Sequence, residues 1–145
     1  MKYAKIVATG SYLPTKTLTN KDLENMVDTS DEWIIDRTGI RERHIVAEGE
    51  TTSDMAYRAA LSALSQANMR PDEIDLIIVA TSTPDSVFPS TACILQNKLG
   101  IKTNGSIDLQ AACTGFIYAL TTADCFIKSG MAKNILVVGS DSMSR

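Results

Sequence analysis

At 145 residues, with 44% hydrophobic and 21% charged side chains, the sequence has the make-up of an ordinary globular domain and can bury about 70% of its unfolded surface. Its net charge of −3, with Lys and Arg scattered rather than striped, leaves no electrostatic footprint for nucleic acid or an anionic membrane. No apolar run approaches the roughly 18 residues that span a bilayer, and charge breaks the apolar start Met1–Ile6, so a cytoplasmic protein acting on small molecules or other proteins is expected.

The first apolar run, Lys5–Gly10, ends in small residues and reads as a strand buried on both faces of a sheet. From Asn20 to Val46 the pattern changes to two short helices and the exposed-looking stretch Arg41-Glu42-Arg43-His44, an insertion beside the sheet. On its second helix, which Thr29 and Glu32 can cap, Trp33 and Arg37 stand at i and i+4 and share one face. Taken alone, a single Trp on a short helix reads more often as core than as a binding residue.

Thr51 to Asp54 forms a capping box, and Met55, Ala56, Ala59, Ala60, Ala63, Leu64 and Ala67 follow at helical spacing, with Pro71 beyond the end. Their small side chains suit close packing. A strand follows at Ile74–Ala80. Ser90 then caps a helix carrying Ala92, Leu95 and Leu99 that Gly100 stops. A weaker strand at Ser106–Leu109 leads to a helical stripe of Phe116, Leu120, Ala123 and Ile127 ending at Gly130, and the last strand is Asn134–Gly139. Strands alternating with helices predict an α/β layer architecture with right-handed crossovers.

Three cysteines at 93, 113 and 125, with no CxxC pair, suggest neither a disulfide framework nor a zinc site, and the single histidine removes most metal constellations. No metal and no bound cofactor are expected. The glycines form neither GxGxxG nor a Walker loop. Cys113 lies in Gln110-Ala111-Ala112-Cys113-Thr114-Gly115, between a strand and a helix, the place of a nucleophile elbow. The positive end of the helix favours an anion there, Ala111, Ala112 and Gly115 leave room for a thioester, and the Cys113 N–H is placed to donate to an oxyanion. From position alone, a nucleophile and a small buried hydrophobe describe Cys113 equally well. Cys93 and Cys125 sit inside apolar helix patterns and read as core, and His44 reads as a surface or structural residue.

Several of these segments, Gly10-Ser11-Tyr12-Leu13-Pro14, Thr29 through Arg43, Phe88-Pro89-Ser90 and Ala111 through Phe116, resemble the β-ketoacyl-acyl-carrier-protein synthase III family, in that family's order and over the whole chain. The Trp33–Arg43 stretch is highly specific; the cysteine motif alone fits several thiolase-fold families. The resemblance implies a thiolase-like α/β fold, with residues 1–145 forming one incomplete, N-terminal half of a duplicated layered architecture. It implies an acyltransferase that starts fatty acid synthesis in the cytoplasm as a homodimer. Cys113 would accept an acyl group, commonly acetyl, from acyl-CoA, a substrate rather than a cofactor. The acyl-enzyme would then condense decarboxylatively with malonyl-acyl-carrier-protein.

By the same resemblance, Trp33 stacks on the coenzyme A adenine, Thr29 and Arg37 add hydrogen bonds or a phosphate contact, and Phe88 lines the acyl pocket of the partner subunit, with core packing beside Pro89 as its alternative. The family's decarboxylation donors, a His and an Asn, come from the C-terminal half, which the 145 residues do not reach, so this chain alone is expected to be inactive in condensation. The competing functions are a hydroxymethylglutaryl-CoA or polyketide-starter synthase, against which Trp33–Arg43 counts, and a catalytically silent half that only binds or dimerises.

Overall fold

The computed structural model describes residues 3–102 and 105–144. In chain order its elements are β1 (Lys16–Thr19), α1 (Asn20–Glu24), α2 (Asp31–Thr38), β2 (Glu42–Ile45), α3 (Thr52–Ala67), β3 (Leu76–Ala80), α4 (Thr91–Lys98), β4 (Gly105–Leu109), α5 (Gly115–Ser129) and β5 (Ile135–Gly139). They fall into two compact units, residues 3–12 with Thr51–Met143, and 13–50 with Ser144.

The larger unit is built on a three-stranded parallel sheet in the order β4-β3-β5. β3, Leu-Ile-Ile-Val-Ala, is buried at every position, as a central parallel strand covered on both faces must be. Ile77 and Val79 point to one face, where α3 and α4 deliver Ala56, Ala60, Leu64, Ala92 and Leu95. Leu76, Ile78 and Ala80 point to the other, against Ala119 and Ala123 of α5. Register aligns Ala80 with both Leu109 and Gly139, so all three strands end along one edge.

The helices start and stop as their residues dictate. Thr51 and Asp54 complete the expected capping box of α3. Its end comes at Asn68, whose φ of 51° is the left-handed conformation that Asn tolerates better than most non-glycine residues, three residues ahead of the 3-10 turn that opens with Pro71. Ser90 caps α4 by accepting from the Cys93 N–H, and Gly130 closes α5 at φ 78°.

The smaller unit confirms the insertion between Asn20 and Val46 and its two helices. The expected exposed stretch Arg41–His44 differs: residues 42–45 form β2, antiparallel to β1, with Thr17 opposite His44 and Leu18 opposite Arg43. A four-residue polar strand carries no periodic apolar signal, which is why the pattern hid it. His44 is half-buried with Nδ1 2.5 Å from the Pro14 carbonyl oxygen, a structural role.

Lys5–Gly10 is not a strand, and Ile6 and Val7 are 69% and 68% exposed. A β-branched run forms a strand only where a neighbour takes its backbone bonds. No described strand pairs with this run; instead Thr9 N–H donates to the Gln66 side chain (2.8 Å), and just ahead of the run Ala4 N–H donates to Asp124 (3.3 Å).

Candidate active site

β4 ends at Leu109, and four residues later the chain presents Cys113 in the 3-10 turn Ala112–Thr114 that runs straight into α5. Thr114 tightens this turn by donating its N–H (3.2 Å) and hydroxyl (2.8 Å) to the Ala111 carbonyl. Ala112 has φ 46°, a left-handed conformation that costs a non-glycine residue about 1–2 kcal/mol and commonly marks a functional turn. A Cβ on Gly115 would stand 3.3 Å from Ala80 Cβ, tighter than ordinary contact, so glycine lets the start of α5 lie close against the end of β3. The thiol of Cys113 is exposed, at the carboxyl edge of a parallel sheet, where open α/β folds place their ligands.

The loop from Thr81 to Ser90, which leaves β3 at that same edge, is fastened by three aspartates. Asp141 accepts from Ser82 N–H (2.8 Å) and from the hydroxyls of Thr81 (3.3 Å) and Thr83 (3.1 Å). Asp85 accepts from Ser53 N–H (2.8 Å) and hydroxyl (2.5 Å), and Lys98 Nζ bonds the same Ser53 hydroxyl at 2.8 Å. Asp108, in β4, accepts from Thr91 N–H (2.8 Å) and Ala92 N–H (2.7 Å) at the positive end of α4, tying the strand that leads to Cys113 to the helix that follows the loop. None of the three was foreseen; Asp108, a lone charge between Ile107 and Leu109, was the available signal. The loop tip projects, with Val87 and Phe88 100% and 88% exposed, so Phe88 does not pack into the core of the described residues.

In the smaller unit, Trp33 is 55% exposed and is not core. The Arg37 guanidinium lies 5.0 Å from its ring centroid, as the shared helix face required. One expectation is corrected: Ser30, not Thr29, caps α2, its Oγ accepting from Trp33 N–H at 3.1 Å. The helix starts one residue later than expected, and Thr29 lines a shallow cavity of about 320 Å³ with Asp28, Ser30 and Trp33.

Cys93 and Cys125 are also corrected, because both are exposed. Cys93 lies in the first turn of α4 with Sγ 3.3 Å from Ser106 Oγ, and hydrogen bonds from Ser106 and then Ser90 draw its thiol below the usual thiol range against burial and the Asp108 charge. Among the described residues no three His, Cys, Asp or Glu side chains gather as a metal site would need, and no helix is long and apolar enough to cross a membrane.

This arrangement is shared. The 3-oxoacyl-[acyl-carrier-protein (ACP)] synthase III family matches residues 107–145, which hold the end of β4, the Cys113 turn, α5 and β5. The β-ketoacyl-[acyl-carrier-protein] synthase III of Thiobacillus denitrificans is 63% identical over 100% of this chain and 46% of its own length, and that of Xylella fastidiosa strain 9a5c is 60% identical over 99% and 44%. Along its whole length, then, the chain is similar to the N-terminal part of proteins that carry that name. The crystal structure of 3-oxoacyl-[acyl-carrier-protein] synthase III from Aquifex aeolicus superposes with a TM-score of 0.93 at 58% identity, covering 97% of this chain and 45% of that one. The priming β-ketosynthase of the R1128 polyketide pathway gives 0.94 at 36% identity, covering 99% and 43%. The fold is therefore thiolase-like, and the chain spans about half the length of the curated relatives it matches.

Proposed function

We propose that this chain carries the acyl-accepting site of a β-ketoacyl-acyl-carrier-protein synthase III, an acyltransferase of fatty acid synthesis in the cytoplasm. The observation that carries the reading is the exposed Cys113 thiol on a tight turn fused to the start of α5, within a segment that matches the family. The thiolate attacks the thioester carbonyl of acyl-CoA, commonly acetyl-CoA, and the resulting oxyanion takes backbone donors of the turn. Expulsion of the coenzyme A thiolate leaves an acyl-cysteine. Malonyl-acyl-carrier-protein then loses carbon dioxide, its α-carbon attacks the acyl carbonyl, and the Cys113 thiolate leaves with the 3-oxoacyl product on the carrier protein.

The second stage needs donors aimed at a developing enolate, which the resemblance assigns to a His and an Asn of a second half. His44, the chain's one histidine, holds the Pro14 carbonyl instead. On this reading the 145 residues supply the acyl-accepting cysteine and are by themselves inactive in condensation. Thr29, Trp33 and Arg37 bind the coenzyme, the ring by stacking and the guanidinium by charge, and the bare Phe88 and Val87 are apolar surface for a second subunit of a homodimer to cover. The polyketide priming relative, at 36% against 63% identity, makes a starter-unit synthase the weaker alternative.

The test is incubation of the intact protein with acetyl-CoA alone, followed by peptide mass spectrometry. One acetyl group on Cys113 is expected. Acetyl on Cys93 or Cys125 with Cys113 unmodified overturns the assignment, and no acetylation at all favours a silent binding half.

A further inference from the structure

Asn20 is 1% exposed, and its amide is fully engaged. Nδ2 donates to Asp31 Oδ1 and to the Ile40 carbonyl, both at 2.8 Å, while Oδ1 accepts from Arg43 Nη2 at 2.9 Å. Its backbone N–H donates to the Arg41 carbonyl at 3.2 Å. One side chain thus grips α2 at its first residue, Asp31, and again just past its Gly39 cap, at Ile40, and fastens both to β2.

The helix so held has little else to orient it. It is eight residues long, below the length at which isolated helices persist in water, and Ile34 is its one buried side chain. A single apolar anchor leaves rotation about the helix axis soft, and that rotation decides where the Trp33 and Arg37 face points. We infer that Asn20 is a positioning residue for the nucleotide end of acyl-CoA: it sets the Trp33–Arg37 face before the ligand arrives without touching the ligand. The inference rests on the reading that α2 binds coenzyme A.

The test is Asn20→Asp in the intact protein, with coenzyme A affinity measured by isothermal titration calorimetry from pH 5 to 8 and expressed relative to wild type at each pH. The substitution keeps the shape and the bond to Arg43 but turns a donor into an oxygen facing the Asp31 carboxylate and the Ile40 carbonyl. The charged groups around the new carboxyl are Asp31 on α2, Glu24 on α1, whose Oε1 accepts from Asp31 N–H at 2.7 Å, and Arg43 on β2. Two adjacent carboxylates repel until they share a proton.

The expected result is an affinity at least about tenfold weaker at pH 8 that recovers toward wild type at pH 5, with an unchanged rate of Cys113 alkylation. A purely structural role would also recover at low pH, but it would not show the split between affinity and alkylation. Adding Asp31→Asn returns a donor to face the new carboxylate and is expected to restore affinity at pH 8. Trp33→Ala is measured alongside. Affinity lost in that variant but unchanged in Asn20→Asp at every pH overturns the inference and leaves the coenzyme A reading standing; no change in either overturns both. If Asn20→Asp fails to fold, Asp31→Ala removes the same grip at the half-buried end of α2, and wild-type affinity there overturns the inference.

Discussion

Ser106 has one hydroxyl proton and two neighbours to receive it, the Gln96 side-chain oxygen at 2.8 Å and Cys93 Sγ at 3.3 Å. Ionising Cys93 draws the proton to sulfur, which is the physical content of its lowered pKa. In a Cys113→Ser, Cys125→Ser background, the pH midpoint of Cys93 alkylation by iodoacetamide is therefore expected below the ordinary thiol value of about 8.5, and Ser106→Ala should move it up. An unmoved midpoint in Ser106→Ala would assign the shift elsewhere. Because Cys93 and Cys125 are exposed as well as Cys113, acyl transfer at Cys113 must be shown by site mapping and not by total thiol loss. Trp33 makes a different prediction. A stacked ring far from the thioester contributes equally to ground and transition states, so Trp33→Ala should raise KM for acetyl-CoA several-fold with kcat nearly unchanged in steady-state assays. An unchanged KM would leave the ring with no ligand.

At the level of elements, α3 shows how a local motif and a distant charge combine. Burial pushes the Asp54 carboxyl up, but bonds from Lys98, the Thr51 N–H and the Thr51 hydroxyl outweigh it and hold the group at about 2. Its folded pKa lies below the unfolded value of about 3.9, so the stabilisation is complete above pH 4 and is lost as pH falls toward 2. The Asp54 side chain is 39% exposed, so screening keeps the effect on the order of 1 kcal/mol. Urea midpoints of wild type and Asp54→Asn should differ at pH 5 and converge near pH 2; a constant gap would mean that Lys98 and Thr51 do not hold the carboxylate.

The Thr51 box was legible because its partners are three residues apart, as was β3 because five consecutive buried positions must all be apolar. The strand-to-helix turn that carries Cys113 was legible from the small residues around it. Asp54's partner Lys98 lies 44 residues away, and the grips of Asp108, Asp141 and Asn20 are likewise made across the fold, where no periodicity reports them. The stripe expected on α5 also shifted: Ala119 and Ala123 meet the sheet while Phe116 stays 45% exposed, because the small side chains, and not the bulky ones, admit the close approach that begins at Gly115.

Across the larger unit, the segment from Tyr3 to Tyr12 joins helices that lie on opposite faces of the sheet, through Ala4 to Asp124 of α5 and through Thr9 to Gln66 of α3. The sequence pattern offered two halves of this arrangement, an apolar run ending at Gly10 and a helix face of alanines, without saying that they meet. They meet at Gly10. A Cβ there would fall inside the contact distance of Ala63 N and Ala59 O, which are backbone atoms of a helix and cannot rotate away as a side chain would. Space, and not backbone conformation, thus requires the glycine. Gly10→Ala must either push the segment off α3, exposing the alanines it covers, or displace α3 from β3. Overpacking of this kind costs about 1–3 kcal/mol, equivalent to a fall in Tm of roughly 2–12 °C for a domain of this size. Differential scanning calorimetry reads the loss, and hydrogen exchange locates it. If the segment lifts away, the Thr9 amide loses protection while β3 keeps it. If α3 moves, Ile77 and Val79 lose protection as well. A wild-type Tm in Gly10→Ala would mean that residues 3–12 do not seat on α3 in solution.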